Sequence, residues 1–202
     1  MAPIFVRFNR SEDDVKIGKD VTIHSSVKII NSDKITMGDA VIVDDFVLLF
    51  GGKGCTIGSF IHIAAFSSIG GGGELVMEDF SGLSMGVRLY TGNEDYSGES
   101  FTNPTLPAPY RKPIRSFVHV SKFAVVGANS VILPGITIGE GAVVGANSLI
   151  VKDCKPWTVY LGNPARPVRE RPSEKLINME CQLKKELYDS KGIYIPRSER
   201  KN

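Results

Sequence analysis

Three histidines and one short acidic run are the residues in this 202-residue chain best suited to moving a proton: His24, His62 and His119, with Glu94-Asp95-Tyr96. Imidazole titrates near pH ~6.5 and can take a proton at neutral pH, whereas a carboxylate near ~4.3 is a weak base unless burial raises it. His62 stands in IHIAAF, one residue before the aliphatic Ile63, so strand alternation that turns Ile63 inward turns His62 outward. An outward histidine between two isoleucines suits a general base and a packed subunit contact equally. Glu94 and Asp95 occupy a long aperiodic segment, where an acid is either solvated or aimed at a bound group. His119 also precedes an inward residue, Val120, and follows that segment directly, which makes it the reserve base. His24, far from the segment, reads as structural. Cys55, Cys154 and Cys181 are odd in number, widely spaced and without a CxxC pair. They read as small buried thiols rather than a disulfide framework or a zinc site, and no metal is expected.

A repeat must position these residues. VKIGKDVTIHSSV from Val15, ITMGDAVIVDDFV from Ile35, CTIGSFIHIAAFS from Cys55 and LVMEDFSGLSMGV from Leu75 align with an advance of twenty residues each time. Inside each block an aliphatic residue or Met recurs every six: Ile17, Ile23, Ile29; Met37, Val43, Leu49; Ile57, Ile63, Ile69; Met77, Leu83, Leu89. The period resumes at Val120, Val126, Ile132, Ile138, Val144 and Ile150. Six fits neither the 3.6 of a helix nor two-fold alternation. It fits short strands separated by tight corners, three hexads closing one triangular coil and successive coils stacking as parallel strands. A small or β-branched residue four positions on (Val41, Val47, Ala124, Ser130, Ala142, Ser148) fits the interior near each corner, and Gly18, Gly38, Gly58, Gly127, Gly139 and Gly145 stand where a side chain would crowd it.

Three hexads make eighteen residues, so a repeat of twenty adds two at one fixed place, after the third inward residue. Ile29–Lys34, Leu49–Gly54 and Ile69–Glu74 therefore stack at one corner, and the fourth segment, from Leu89, runs on as a loop to about Ser116. That loop carries four prolines and no periodicity, and long loops in compact domains are usually functional. From Ser173, Leu176, Met179, Leu183 and Leu187 share one helical face. A helix of about four turns is expected, capped by Ser173, stopped by Gly192 and covering the open end of the last coil.

The repeat resembles the hexapeptide-repeat acyltransferases over about residues 15–171, most tightly in VVGANSVILPGITIGEGAVVGANSLIVKD (125–153) and YLGNPARPVRER (160–171). The resemblance implies an all-β fold, a left-handed parallel β-helix over 1–171 with its loop at about 91–116, followed by a C-terminal α-helix and tail over 172–202. It implies acetyl-CoA as co-substrate, with the pantetheine arm against Gly127, Ala128, Gly145 and Ala146. The phosphates would meet Lys152 and Arg166, and Asn163 would shape the edge. It implies acyl transfer to a hydroxyl or amine of a sugar or nucleotide-linked sugar, in bacterial surface-polysaccharide biosynthesis. IHIAAFSSIG is similar to the HIA-containing coil of acyltransferases acting on nucleotide sugars, with Ala65 where those often carry a second histidine. Glu94-Asp95-Tyr96 matches the loop segment that is His-Asp-Tyr in the sugar-acetyltransferase branch. The catalytic set is thus His62, Glu94 and Asp95, brought together across a homotrimer, with His62 as base and an acid orienting its ring.

Composition sets the outer bounds. With 24 Lys+Arg against 22 Asp+Glu the net charge is +2, too balanced for a surface that binds nucleic acid by neutralising phosphates. Hydrophobic residues at 42% and charged residues at 23% fit one globular domain plus an appendage. No run approaches the ~20 apolar residues of a membrane span, and the start lacks a signal-peptide core, so a soluble, cytoplasmic protein is expected. Two other readings share the fold. A γ-carbonic-anhydrase-like metalloenzyme needs three convergent histidines, and a non-catalytic binding scaffold has no need of the loop or the GNPAR segment.

Overall fold

A computed structural model describes residues 15–200. The chain winds about seven turns of a left-handed parallel β-helix. Its short strands form three faces. Face A stacks Lys16–Ile17, Ile35–Met37, Gly54–Ile57, Glu74–Met77, Phe117–Val120 and Ile136–Ile138. Face B begins at Thr22–Ile23 and ends with Thr158–Gly162, against which Ala165–Glu170 folds back antiparallel. Face C runs from Lys28–Ile30 to Leu149–Ile150.

The register is the one the repeat dictates. On face B, Ile23, Val43, Ile63, Leu83, Val126, Val144 and Tyr160 stand directly over one another. The inward columns of all three faces fuse into a single core, buried throughout except at Ile17 and Ile29 on the first coil. The corner glycines are sterically required: a Cβ at Gly58 would stand 2.9 Å from the Asp79 nitrogen and 3.1 Å from the Met77 oxygen. Polar side chains tie neighbouring coils at the same corner, where the Lys19 amide donates to Asp39 Oδ1 at 2.7 Å and the Ser59 amide to Asp79 Oδ1 at 2.8 Å.

The loop leaves and returns without disturbing the stack, since Leu75 pairs with Val118 and Met77 with Val120 as though nothing intervened. Its neck is a two-residue antiparallel ladder, Gly92–Asn93 against Ile114–Arg115. Thr91 pins it from beneath, donating from Oγ1 to the Gly70 carbonyl at 2.8 Å and accepting from the Gly73 amide at 2.9 Å.

The C-terminal helix departs from the expectation. Helix α1 (Glu174–Leu187) lies along the flank of the prism instead of over its end, and the hairpin of Thr158–Gly162 and Ala165–Glu170 continues face B at the last coil. The cause is an aromatic ladder on the corner between faces A and B. Phe60 and Phe80 stack with centroids 4.9 Å apart, Phe80 and Phe123 at 5.4 Å, and Trp157 follows at 6.0 Å. Tyr188 and Tyr194 close edge-on over Phe60, and the Tyr194 hydroxyl donates to Asp20 Oδ2 at 2.9 Å. The helix therefore ends at Leu187, before Gly192, because Tyr188 turns extended to join the ladder. Ser173 stands at its N-terminus without a side-chain cap.

Because Ile63 is fully buried between Val43 and Leu83, Ile63→Ala should cost about 2–5 kcal/mol by lost transfer energy and a cavity the stacked coils cannot close. Denaturant unfolding followed by circular dichroism checks this; a loss under about 1 kcal/mol would contradict the packing described.

Candidate active site

His62 does point outward from face B, its side chain 56% exposed. Its ring is held by Asp44 one coil below, with Nε2 2.8 Å from Oδ2. Asp44 lies two residues after Ile42, the register partner of His62, so the coil stacking itself delivers the contact. An ionised carboxylate only accepts, so Nε2 carries the hydrogen and Nδ1 keeps its lone pair for an incoming proton. His24 approaches the same acids, with Nδ1 3.2 Å from Asp45 Oδ2 and Nε2 4.0 Å from Asp44 Oδ1. Asp45 also accepts a short hydrogen bond from Ser26, which, with His24, holds its carboxyl below the usual range. His119 is on another face, where Nε2 lies 2.7 Å from Glu78 Oε1. The three histidines thus converge on no common point, and among the described residues no group of three or more His, Cys, Asp or Glu side chains is disposed to hold a metal.

Above His62 the outward position is Gly82. The other outward residues of this face are Thr22, Ile42, Val125, Val143 and Val159. A Cβ at Gly82 would meet only the His62 carbonyl at 3.5 Å, an ordinary contact. Neither sterics nor a left-handed backbone requires glycine here, and the outward position above His62 is left without a side chain.

Glu94 and Asp95 part ways at the loop. Glu94 is clamped by arginines, with Oε1 2.6 Å from Arg111 and 3.7 Å from Arg115, while Glu94 Oε2 and Arg111 Nε are buried without a partner among the described residues. Asp95 is drawn into the loop. Its oxygens accept from the amide and hydroxyl of Ser97 at 2.7 and 2.6 Å and from those of Ser100 at 2.7 and 3.1 Å. Those bonds, the Ser97 hydroxyl first, lower its pKa to about 2. The acid that orients His62 within one chain is therefore Asp44, and neither Glu94 nor Asp95 touches the ring. Sequence reading passed over Asp44 because its partner lies eighteen residues away; the twenty-residue register was the signal that could have found it.

The expected CoA contacts divide as well. Gly127 and Gly145 occupy the corner between faces B and C, above Ser84 in the stack. Their lack of a side chain is explained by packing: a Cβ on Gly127 would stand 2.6 Å from the Ala146 nitrogen, and one on Gly145 would strike Leu161. The adjoining Ala128 and Ala146 amides donate to no acceptor among the described residues. The hairpin turn holding Asn163 sits over this corner, the Gly162 amide donating to Ser148 Oγ at 3.1 Å, and Arg166 is exposed beside it. Lys152, exposed, follows the last strand of face C and lies on the next corner, away from the others.

Residues 117–152 match the family described as Bacterial transferase hexapeptide (six repeats). The chain is 37% identical over 142 residues to a dTDP-4-amino-4,6-dideoxy-D-glucose acyltransferase of Escherichia coli, covering 70% of this chain and 73% of that one. It is 31% identical over 139 residues to a probable macrolide acetyltransferase of Lysinibacillus sphaericus, covering 69% and 74%. Among solved structures it is similar to AntD, an N-acyltransferase from Bacillus cereus in complex with dTDP and 3-hydroxybutyryl-CoA, at 36% identity and a TM-score of 0.78 over 83% of this chain and 88% of that one.

The Asp95 carboxylate makes loop closure pH-dependent. Its pKa is about 2 in the folded loop and ~3.9 when free, so its stabilisation is present above about pH 4 and fades as the pH falls toward 2. Pepsin should cut near Tyr96 and Phe101 at pH 2 but spare the loop at pH 4.5, and Asp95→Asn should be cut at both. Equal cutting of wild type and variant at pH 4.5 would contradict this.

Proposed function

The chain belongs to the hexapeptide-repeat acyltransferases, and from that premise we propose that it carries an acetyl group from acetyl-CoA to the amine of a nucleotide-linked amino sugar. Acyl transfer with CoA as donor is the family's chemistry. The acceptor class is supported by two of the similar proteins: the Escherichia coli acyltransferase is named for dTDP-4-amino-4,6-dideoxy-D-glucose, and AntD has also been solved in complex with dTDP-4-amino-4,6-dideoxyglucose. The single observation in this chain that carries the reading is the His62–Asp44 pair, 2.8 Å apart and open to solvent below the side-chain-free position of Gly82.

In this reading the acceptor nitrogen attacks the thioester carbonyl and forms the C–N bond, His62 Nδ1 takes the proton the amine sheds, and the C–S bond breaks to release CoA, whose thiolate takes up that proton from the imidazolium. Asp44 steadies the imidazolium that results. Glu94, held in place by Arg111 and Arg115, would turn its unpartnered Oε2 to a hydroxyl or amine hydrogen of the sugar. Asp95 holds the loop that presents Glu94. The free amides of Ala128 and Ala146 suit the amide oxygens of the pantetheine arm, and Asn163 and Arg166 stand where the nucleotide end would follow. Lys152 would contact the donor only from a neighbouring copy or through a longer reach.

A homotrimer completes the reading. His62 on face B and Glu94 beyond the corner between faces C and A belong to different sides of the prism, so one cleft needs two chains. An exposed apolar ridge supports the contact: Phe46 and Phe66 stack with centroids 5.1 Å apart while 60% and 52% exposed, next to exposed Met85. The acylated nucleotide sugar would feed glycosyl transfer into a bacterial surface polysaccharide, which puts the enzyme in the cytoplasm with its acyl-CoA supply. Separately, no helix among the described residues is long and apolar enough to cross a membrane.

Thiol release from acetyl-CoA tests the function. A nucleotide-linked amino sugar should outperform the free amino sugar by at least about a hundredfold in kcat/KM, since binding energy from the remote nucleotide is spent at the reacting centre. His62→Ala should lose ~10²–10⁴ in kcat. Full turnover in His62→Ala together with loss in Glu94→Gln would make the carboxylate the base instead.

A further inference from the structure

The outward column on face C next to the loop corner reads Ile30, Phe50, Gly70, Tyr90, Leu133 and Val151, the neighbours fixed by the pairings Ile30 with Phe50 and Gly70 with Tyr90 and by the continuing stack. Gly70 alone is small. Its backbone is not left-handed, and a Cβ built on it meets no heavy atom within 4 Å. Glycine in a strand interior weakens the strand and commonly marks close approach of a ligand or another backbone. Here none of the described residues fills the space a Gly70 side chain would take, and the paired ladder beneath ends at Leu48 with Ser68, before it reaches Phe50 and Gly70. The result is a gap at Gly70 with an aromatic side chain on the coil below and another on the coil above.

We infer that this gap, between Phe50 and Tyr90 across Gly70, is the slot that clamps the nucleobase of the acceptor. Strands lie about 4.8 Å apart, so rings one step away on either side of a planar guest fall within the ~4.5–7 Å at which aromatic faces interact. A cation stands beside the slot. The position a Gly72 Cβ would take is 3.5 Å from the Phe50 ring and 3.2 Å from Arg115 Nε, so the Arg115 guanidinium borders the same corner. A base between the rings therefore puts its diphosphate near Arg115. Arg115 in turn lies 3.7 Å from Glu94, which faces the amino sugar in the reading above. Base, diphosphate and sugar follow in the order in which they are bonded.

The inference rests on the nucleotide-sugar reading of the same corner. CoA carries a nucleobase too, but its expected contacts, Ala128, Ala146 and the Asn163 turn, lie along the other edge of face C, and the donor's adenine is assigned there.

Calorimetric titration of the intact protein with dTDP, with UDP, with CoA and with inorganic pyrophosphate tests the slot. Gly70→Leu fits the empty space and should leave the thermal midpoint at or above wild type. It should weaken dTDP at least about tenfold, the scale of one lost stacking contact, while the CoA and pyrophosphate affinities stay as they were. Tyr90→Ala should weaken dTDP similarly, and Tyr90→Phe should restore it. Wild-type dTDP affinity in both Gly70→Leu and Tyr90→Ala overturns the slot and leaves the nucleotide-sugar reading standing. Loss of CoA affinity alone overturns it in favour of the donor's adenine. If the wild-type protein takes up neither dTDP nor UDP, the slot and the acceptor reading fall together.

Discussion

The vertical register of the coils is the constraint on which the rest depends. Each backbone bonds to the coil above and below, and each inward aliphatic residue sits over its counterpart, so a one-residue slip would turn every core side chain outward. That cost fixes the neighbours of every outward residue too. Asp44 meets His62, Gly82 stands above it and Gly70 separates Phe50 from Tyr90 because the core will not allow another alignment. The chemistry is written on a surface whose coordinates the interior sets.

Insertion is cheap in such a fold only at a corner, where chain can leave and return without breaking a ladder. The loop uses that freedom: Thr91 and the neck at Gly92–Asn93 close it before Phe117 resumes face A in register. Within it Asp95 spends its bonding capacity on Ser97 and Ser100, and Glu94 remains as the acid with an unpartnered oxygen, held by two arginines. In the proposed reading, proton transfer and acceptor binding fall to different sides of the prism, His62 on a rigid strand and Glu94 on a loop tied down at its base.

The hexad was legible because eighteen positions repeat one simple demand, an aliphatic side chain facing inward, and the parallel coils, the looped corner and the outward aspect of His62 follow from it. What was hidden depends on pairs of coils. Asp44 has no meaning beside its own neighbours in sequence and acquires one only when stacked under the strand of His62. The path of the C-terminal helix was obscured in the same way. Leu176, Met179, Leu183 and Leu187 announce an apolar stripe but not what it lies against, and the ladder of Phe60, Phe80 and Phe123 that draws Tyr188 and Tyr194 to the flank consists of residues twenty and forty-three positions apart. The glycines of VGANS carried two meanings at once, and the structure assigns them to packing, with the neighbouring alanine amides left free.

The central claim, that one cleft draws His62 from one chain and Glu94 from another, is tested most directly by subunit mixing. His62→Ala and Glu94→Gln are each purified, combined in equal amounts, dissociated and reassembled, and their acetyl transfer is compared with either variant alone. Random assembly of a site shared between two chains leaves about one cleft in four with both native residues, so roughly a quarter of wild-type activity should return from two inactive parents. If the mixture stays as inactive as its components, both residues serve a site within a single chain, and the shared cleft is contradicted.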